Sequence, residues 1–327
     1  MPDVLADLAQ PVSSPDASRL RGAEIQPIVA PLWLGAERRG PDLGAGVIAK
    51  GLRSRWQRQQ MTGQLARLQP EIALSLPETD HIESKLNQRR LGFLPDVHES
   101  CRQIADATSA AIDAGQLALV LGGDHAVATG SIAGASRASK RLGLLWFDAH
   151  PDLNTPVTTP SGHIHGMALA AALGIASPDL DSLAKLGNGI APERICLLGI
   201  RDIDPGERRL IADLGIWMLT MEEWFDLGLL AGLDAALDHL GRQDVDAVHA
   251  SFDVDVLDPV DMPGTGTTVC GGLTFREASS VLRRLRSWDG PICSVDWVEL
   301  NPLLDRSGRS VETAVWLLST LLGETMR

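Results

Sequence analysis

Three short runs of this chain carry Asp and His at spacings that could hold metal ions. In Trp146-Phe147-Asp148-Ala149-His150-Pro151-Asp152, the residues Asp148, His150 and Asp152 stand at i, i+2 and i+4. Alternate residues of an extended chain share a face, so these three side chains can converge. Asp253 and Asp255 repeat the i, i+2 spacing further on. His125 follows Gly122 and Gly123, which permit a tight strand-to-helix turn. The sum is four carboxylates and two imidazoles with no thiolate nearby, a donor set for hard or borderline divalent ions rather than a closed structural zinc. Six such ligands with bridging carboxylates can hold two ions about 3.5–4 Å apart, and such a pair lowers the pKa of a shared water until hydroxide forms at neutral pH. Mn2+ suits the set best, and Ni2+, Co2+ or Fe2+ are compatible with it. Any one Asp at a strand end is as readily a turn former or a cap. Three motifs together, each closing an apolar run, favour the metal. For Asp258, before Pro259, the turn is the better reading. Asp124 stays open between a carboxylate that orients a ligand and a cap for the following helix.

The elements that must position these residues are legible as apolar runs at 28–33, 117–123, 143–150, 195–202, 248–255 and 291–297. Segments of helical period lie at 99–114, 126–138, 227–241, 274–286 and 310–323. Strands apolar throughout indicate a sheet covered on both faces. Their alternation with helices indicates parallel pairing in an α/β fold. The runs end in GGDH, DAHPD, RDIDPGE, DVDVLDP and DWVE. Ligand crevices of open parallel sheets lie beyond the carboxyl ends of the strands, so one polar site is expected there. Residues 1–24, polar with Pro and Ser, are expected to form a loosely ordered arm. With no fixed-period repeat and no clear linker, residues 25–327 read as one domain. Trp217 and Trp224 are expected in the core or an interface. The apolar C-terminal segment from Val311 reads as an amphipathic helix that packs on the sheet or joins subunits.

Composition narrows the function classes. The 327 residues are 44% hydrophobic and 22% charged, an ordinary globular balance. A net charge of -13 without a basic stripe argues against a nucleic-acid partner. No apolar run reaches the roughly 18 residues of a membrane span, and the acidic N-terminal segment lacks the apolar core of a secretory signal. Four cysteines lie far apart with no CxxC pair, so a reduced, cytoplasmic setting is expected.

At the metal motifs the chain resembles the ureohydrolase family, and within it the arginases. The likeness runs from about residue 26 to 302, through GAERRGPDLG (35–44), LVLGGDHAVATGS (119–131), WFDAHPDLNTPVTTPSGHIHG (146–166), GIRDIDPGE (199–207), SFDVDVLDP (251–259), GTGTTVCGGLTFRE (264–277) and SVDWVELNP (294–302). The resemblance implies a three-layer α/β/α domain around an eight-stranded parallel sheet, assembled as trimers or hexamers. It implies hydrolysis of a guanidino group to urea and an amine over two Mn2+ ions held by His125, Asp148, His150, Asp152, Asp253 and Asp255. By the same resemblance Asp152 also steadies the tetrahedral intermediate, Glu299 pairs with the guanidinium, and His165 shuttles the proton to the leaving amine. The loop Asn154, Thr155, Pro156, Thr159, Ser161, Gly162 would hold a substrate carboxylate, and Asp204 with Glu207 its ammonium. Agmatinase-like relatives, whose substrate lacks a carboxylate, generally do not keep this loop.

One position departs from the arginase pattern: His163 stands where the family has Asn. Either its ring still contacts the α-carboxylate and makes affinity depend on pH, or it marks a different guanidino substrate, a hydroxylated or shortened arginine or agmatine. Two rival classes are weighed. An acyl-lysine deacetylase of the same superfamily would use one metal and need neither His125 nor the loop. An inactive metal-binding relative would show a damaged ligand set, and here every ligand is present. GAERRGPDLG reads as a solvated loop near the site rim, with no assigned role.

Overall fold

Every strand pairing in the computed structural model is parallel. The structure describes Leu20 and residues 23–59, 67–75, 91–175 and 177–324, and the expected N-terminal arm lies outside these except for its last positions. The strands are β1 Glu24–Ala30, β2 Arg67–Leu68, β3 Ile72–Ala73, β4 Leu117–Gly122, β5 Leu142–Phe147, β6 Ile195–Ile200, β7 Trp217–Thr220, β8 Ala247–Asp253 and β9 Ile292–Val298. Their order is β2-β1-β4-β9-β8-β5-β6-β7, with β3 also on β1. The eight-stranded sheet is therefore present as eight positions, and the outermost is split. Pro70 separates β2 from β3 and has no N–H to give to β1. Its neighbours stay attached, through Gln69 N–H to the Ile25 carbonyl (2.8 Å) and Leu74 N–H to that of Val29 (2.9 Å).

β4, β5, β6, β8 and β9 are buried at every residue. Alternate side chains feed two separate cores: Leu119, Leu121, Leu145 and Phe147 one, Ala118, Val120, Leu144 and Trp146 the other. The first core is covered by α1 (Pro41–Gln59), α5 (Met221–Leu227), α6 (Leu229–Arg242), α7 (Phe275–Arg286) and α8 (Arg309–Leu321). The second is covered by α2 (Leu94–Asp113), α3 (Val127–Arg137) and α4 (Pro205–Leu214). Three layers result, as expected. The C-terminal helix, left open by its sequence, packs on the sheet through Ala314, Leu317, Leu318 and Leu321.

Local chemistry sets the boundaries. α7 starts where Thr274 and Glu277 bond reciprocally, the carboxylate accepting Thr274 N–H at 2.8 Å. The segment read as 227–241 is cut at Gly228 (φ 94°), which separates α5 from α6. α1, unread in the sequence, begins inside GAERRGPDLG at Pro41, whose fixed φ suits a first helical position. β7 was also unread: four half-buried residues at the sheet edge give too short a pattern. Trp224, expected in the core, is fully buried there.

Because the sheet is parallel, the ends of β4, β9, β8 and β5 share one edge, and these strands are neighbours. Register aligns Leu121, Trp297, Phe252 and Phe147 in one row across them. The Phe252 and Trp297 rings stack at 4.1 Å in that row. The candidate ligands start one residue beyond it. Gly123 allows the chain after β4 to lie against that after β1: its N–H bonds to the Ala30 carbonyl at 3.0 Å, and a Cβ there would fall 1.6 Å from the Leu32 oxygen. Since backbone rather than a flexible side chain fills that space, Gly123→Ala should lower the unfolding free energy by about 3 kcal/mol or more in urea titrations. A loss below about 1 kcal/mol would show that the two loops separate freely.

Candidate metal centre

The chain bends where the ligands begin. β5 stops at Phe147, and the Asp148 carboxylate accepts His150 N–H at 2.7 Å, a local turn. Asp152 then adopts φ 48°, a left-handed conformation rare for a residue with a Cβ. Asp255 lies in a 3-10 turn after β8, its own N–H bonded to the Asp253 carboxylate at 2.7 Å. The expectation that strand alternation makes these side chains converge is thus corrected: turns just past the strand ends bring them together.

Within that bend the six residues form two linked groups. Nδ1 of His125 lies 3.1 Å from Asp148 Oδ2, 2.9 Å from Asp152 Oδ2 and 3.1 Å from Asp253 Oδ2. Nδ1 of His150 lies 3.0 Å from Asp255 Oδ2 and 3.5 Å from Asp148 Oδ1. His125 with Asp148 and Asp152, and Asp148 with His150 and Asp255, each draw their ligand atoms close enough for one ion, and Asp148 belongs to both. A shared carboxylate is what a bridged pair of ions requires.

The electrostatics of the bare residues ask for cations. Burial, with the charges of Asp255 and Asp152, pushes Asp148 up to about 6. Burial, with the charges of Asp255 and Asp148, raises Asp253 well above its ordinary value. Burial raises Asp255 as well, but the adjacent His150 outweighs it and holds that carboxyl low. Burial disfavours the His150 imidazolium, yet Asp255 and Asp148 lift its pKa to about 12. Protonated imidazoles are thus the only positive charge the cluster itself can supply. Nδ1 of His125 and Oδ2 of Asp148, both buried and 3.1 Å apart, still lack a properly directed hydrogen bond. Lone pairs that converge without a shared proton are the donor set of a metal site, so the residues fit two ions.

Beside this cluster, a cleft of about 250 Å3 is lined by His150, Asp152, Asn154, Thr159, Ser161, His165, Asp204, Glu207, Asp253 and Asp255. Ten of the sequence-selected residues therefore meet in one place. Glu299 lies beneath, at φ 66° just past β9. Its Oε1 accepts His125 N–H at 2.7 Å and lies 3.0 Å from Nδ1 of His165. Burial would lower the His165 pKa, but Glu299, Asp152 and Asp124 raise it to about 9. His163 is not in the lining; its ring sits 5.8 Å from that of His165 and its N–H bonds to Ser161 Oγ. Asn154 Nδ2 donates to Asp204 Oδ2 at 2.8 Å. Both Glu207 oxygens hold backbone, accepting Leu153 N–H and Asp204 N–H at 2.9 Å each. Asp124 proves to be a brace: it accepts Ala126 N–H at the entry to α3 and Ala36 N–H from the loop after β1. That loop also accepts His165 N–H at the Gly35 carbonyl, so GAERRGPDLG supports the site.

Sequence reasoning missed Asp202 and Thr267 in the lining, the latter bonded to Asp255 Oδ2 at 3.0 Å. It also gave no role to Arg201, whose guanidinium donates to the carbonyls of Asp255 (2.6 Å), Leu257 and Val269. Arg201 and Asp202 follow the end of buried β6 in GIRDIDPGE, where charge at a strand end was the available signal; Thr267 lies in the Gly-rich GTGTTVCGG run, away from any strand end.

The chain is similar to arginases over nearly its whole length. The model of the Arginase family matches residues 28–323. The arginase of Brevibacillus brevis is 39% identical over 302 residues, covering 90% of this chain and 96% of that protein. The structure of arginase from Bacillus caldovelox is similar with a TM-score of 0.82 at 35% identity, covering 94% of this chain and 100% of that one. Arginase from Entamoeba histolytica in complex with L-ornithine gives a TM-score of 0.81 at 30% identity, covering 92% and 98%.

Two measurements follow from the geometry. Because Asp148 is common to both ligand groups, Asp148→Asn should retain neither divalent ion after dialysis, whereas His150→Ala should retain one; equal retention by both variants would contradict a shared carboxylate. In the metal-free protein the folded-state pKa of His165 is raised. Its stabilising contribution is therefore complete below the unfolded value of about 6.5 and is lost as pH rises through about 9. The stability gap between metal-free wild type and His165→Gln in urea should be widest near pH 6 and close above that range; a gap that widens with pH would reverse the assignment.

Proposed function

This chain belongs to the arginase family, and on that premise we propose that it hydrolyses the guanidino group of L-arginine to L-ornithine and urea. The observation that carries the reading is the pair of ligand groups sharing Asp148 at the floor of a cleft walled by acids, amide and hydroxyls. His125, Asp148, His150, Asp152, Asp253 and Asp255 would hold two ions, Mn2+ by preference. When bound, such a pair supplies hydroxide at neutral pH and positive charge for the developing intermediate.

The chain's own groups do the rest. Oε1 of Glu299 is occupied by His125 N–H and His165, so Oε2 is the oxygen assigned to the cationic guanidinium. With its pKa raised by Glu299, His165 carries a proton at neutral pH and can give it to the leaving amine. Asp204 faces the substrate ammonium, with Asp202 beside it in the lining. Glu207 holds Leu153 and the start of α4 in place; burial pushes its pKa up to about 7, so it adds only part of a negative charge to that wall at neutral pH. Asn154, Thr159 and Ser161 offer donors to the α-carboxylate. The remaining expectations stay part of this proposal: one domain over 25–327, a trimer or hexamer, and a cytoplasmic setting.

His163 favours a second reading, in which another guanidino compound is the substrate. Its imidazole is bulkier than the family's carboxamide and stands beside His165. Burial and the His165 charge lower its pKa, so it is neutral at pH 7 and offers one donor. Urea release with added Mn2+ should be fastest on L-arginine in a panel with agmatine and guanidinobutyrate. Turnover confined to a substrate without an α-carboxylate would overturn the arginine assignment. His165→Ala should lose about 10²–10⁴ in kcat. His163→Asn should change kcat/KM for L-arginine and its pH dependence; an unchanged value would remove His163 from carboxylate recognition.

A further inference from the structure

Under the metal cluster lies a polar network in the sheet itself. Asp296 in β9 is fully buried, yet no Lys or Arg pairs with it among the described residues. Its Oδ1 accepts the Ser251 hydroxyl at 2.6 Å, and Oδ2 accepts the Ser131 hydroxyl at 2.6 Å and contacts Nε2 of His249 at 2.9 Å. Ser294 Oγ sits 2.7 Å from Nδ1 of His249. Ser251 in β8 in turn lies 2.8 Å from Nε2 of His125. A buried carboxylate held by hydroxyls and a histidine, with no Lys or Arg beside it among the described residues, has few structural reasons to persist, because apolar residues would fill the sheet at lower cost.

Proton directions follow from chemistry. An ionised carboxylate only accepts, so the one hydroxyl proton of Ser251 points to Asp296. Ser251 can then only accept from His125, which fixes the proton of that ring on Nε2. Nδ1, 2.9–3.1 Å from Asp152, Asp148 and Asp253, is left as the nitrogen that ligates. Stacking of the His125 ring on Trp146, 4.2 Å away and 11° from parallel, sets the plane but not the tautomer. We propose that Asp296, acting through Ser251, is a positioning residue that fixes the His125 tautomer and orientation and raises its basicity toward the metal. Partners of this kind on a ligating histidine are worth about 10–100-fold in metal affinity.

The proposal rests on His125 being a ligand, and the test separates the two. Binding of Mn2+ is measured by chelator competition for wild type, Ser251→Ala, Ser251→Thr and Asp296→Asn, with the melting temperature of each metal-free protein. Ser251→Ala should keep the wild-type melting temperature within a few degrees while the ion of the His125 group loses about 10–100-fold in affinity. Ser251→Thr, which keeps the hydroxyl, should restore it. Asp296→Asn should weaken binding in the same direction, and if it does not fold the Ser251 pair decides. In the Zn2+-loaded wild type, nitrogen NMR should place the His125 proton on Nε2. Wild-type affinity in Ser251→Ala, loss in Asp296→Asn without loss in Ser251→Ala, or a proton on Nδ1 would each overturn the proposal. A wild type that binds no pair of ions would instead overturn the metal reading itself.

Discussion

Three carboxylate oxygens within 3.1 Å of one imidazole nitrogen, in a cluster of buried residues, are the constraint around which the rest is arranged. Like charges so placed repel, and burial removes the screening that would tolerate them. The backbone softens this where it can. N–H groups of His150, Ala149 and Asp255 are turned onto the carboxylates of Asp148, Asp255 and Asp253. Such dipoles lower the cost of ionisation but cannot supply a full positive charge. Cations bound between the two ligand groups can, and metal affinity is then a direct measure of how much repulsion the fold stores.

Storing it requires a rigid frame. Two of the site residues, Asp152 and Glu299, sit at positive φ, a strain of about 1–3 kcal/mol each. Each is pinned by a backbone bond: the Asp152 carbonyl accepts Leu169 N–H, and Glu299 N–H reaches the Gly123 carbonyl. Glu299 thus follows the fully buried β9, and Asp152 is tied to the buried 168–172 turn. Relaxing one would move either the β4 loop with His125 or that turn, both of which are buried.

The ligand residues were legible because metal binding demands particular side-chain types, and a buried parallel sheet leaves them only one edge to occupy. Their mode of convergence was not legible, since a bend at Asp148 and a turn at Asp255 depend on bonds that the i, i+2 spacing does not encode. The short segments β2, β3 and β7 escaped for a different reason: two to four residues do not make a period. Ser251 and Asp296 escaped because they lie among the few polar residues inside two mostly apolar strands, and their meeting depends on strand order. By resemblance to the arginases Glu207 was expected to meet the substrate ammonium together with Asp204; its acidity did not reveal that both its oxygens accept backbone N–H, from Leu153 and Asp204.

The two halves of the cleft are built differently. The metal floor is fixed by strand register, whereas the substrate wall is loop held to loop: Asn154 to Asp204, Glu207 to Leu153, Thr159 Oγ1 to Gly162 N–H. Arg201 stands at the join. It starts the chain leading to Asp204, yet its guanidinium donates to the carbonyl of the ligand Asp255 and to Leu257 and Val269. With its donors spent on carbonyls, it binds the turn below to the wall above without adding charge to a carboxylate. Side chains in the loops that carry the wall can therefore vary, as His163 does, while the floor keeps its geometry. Specificity and chemistry are separable in this fold because one is carried by side-chain bonds between loops and the other by the sheet.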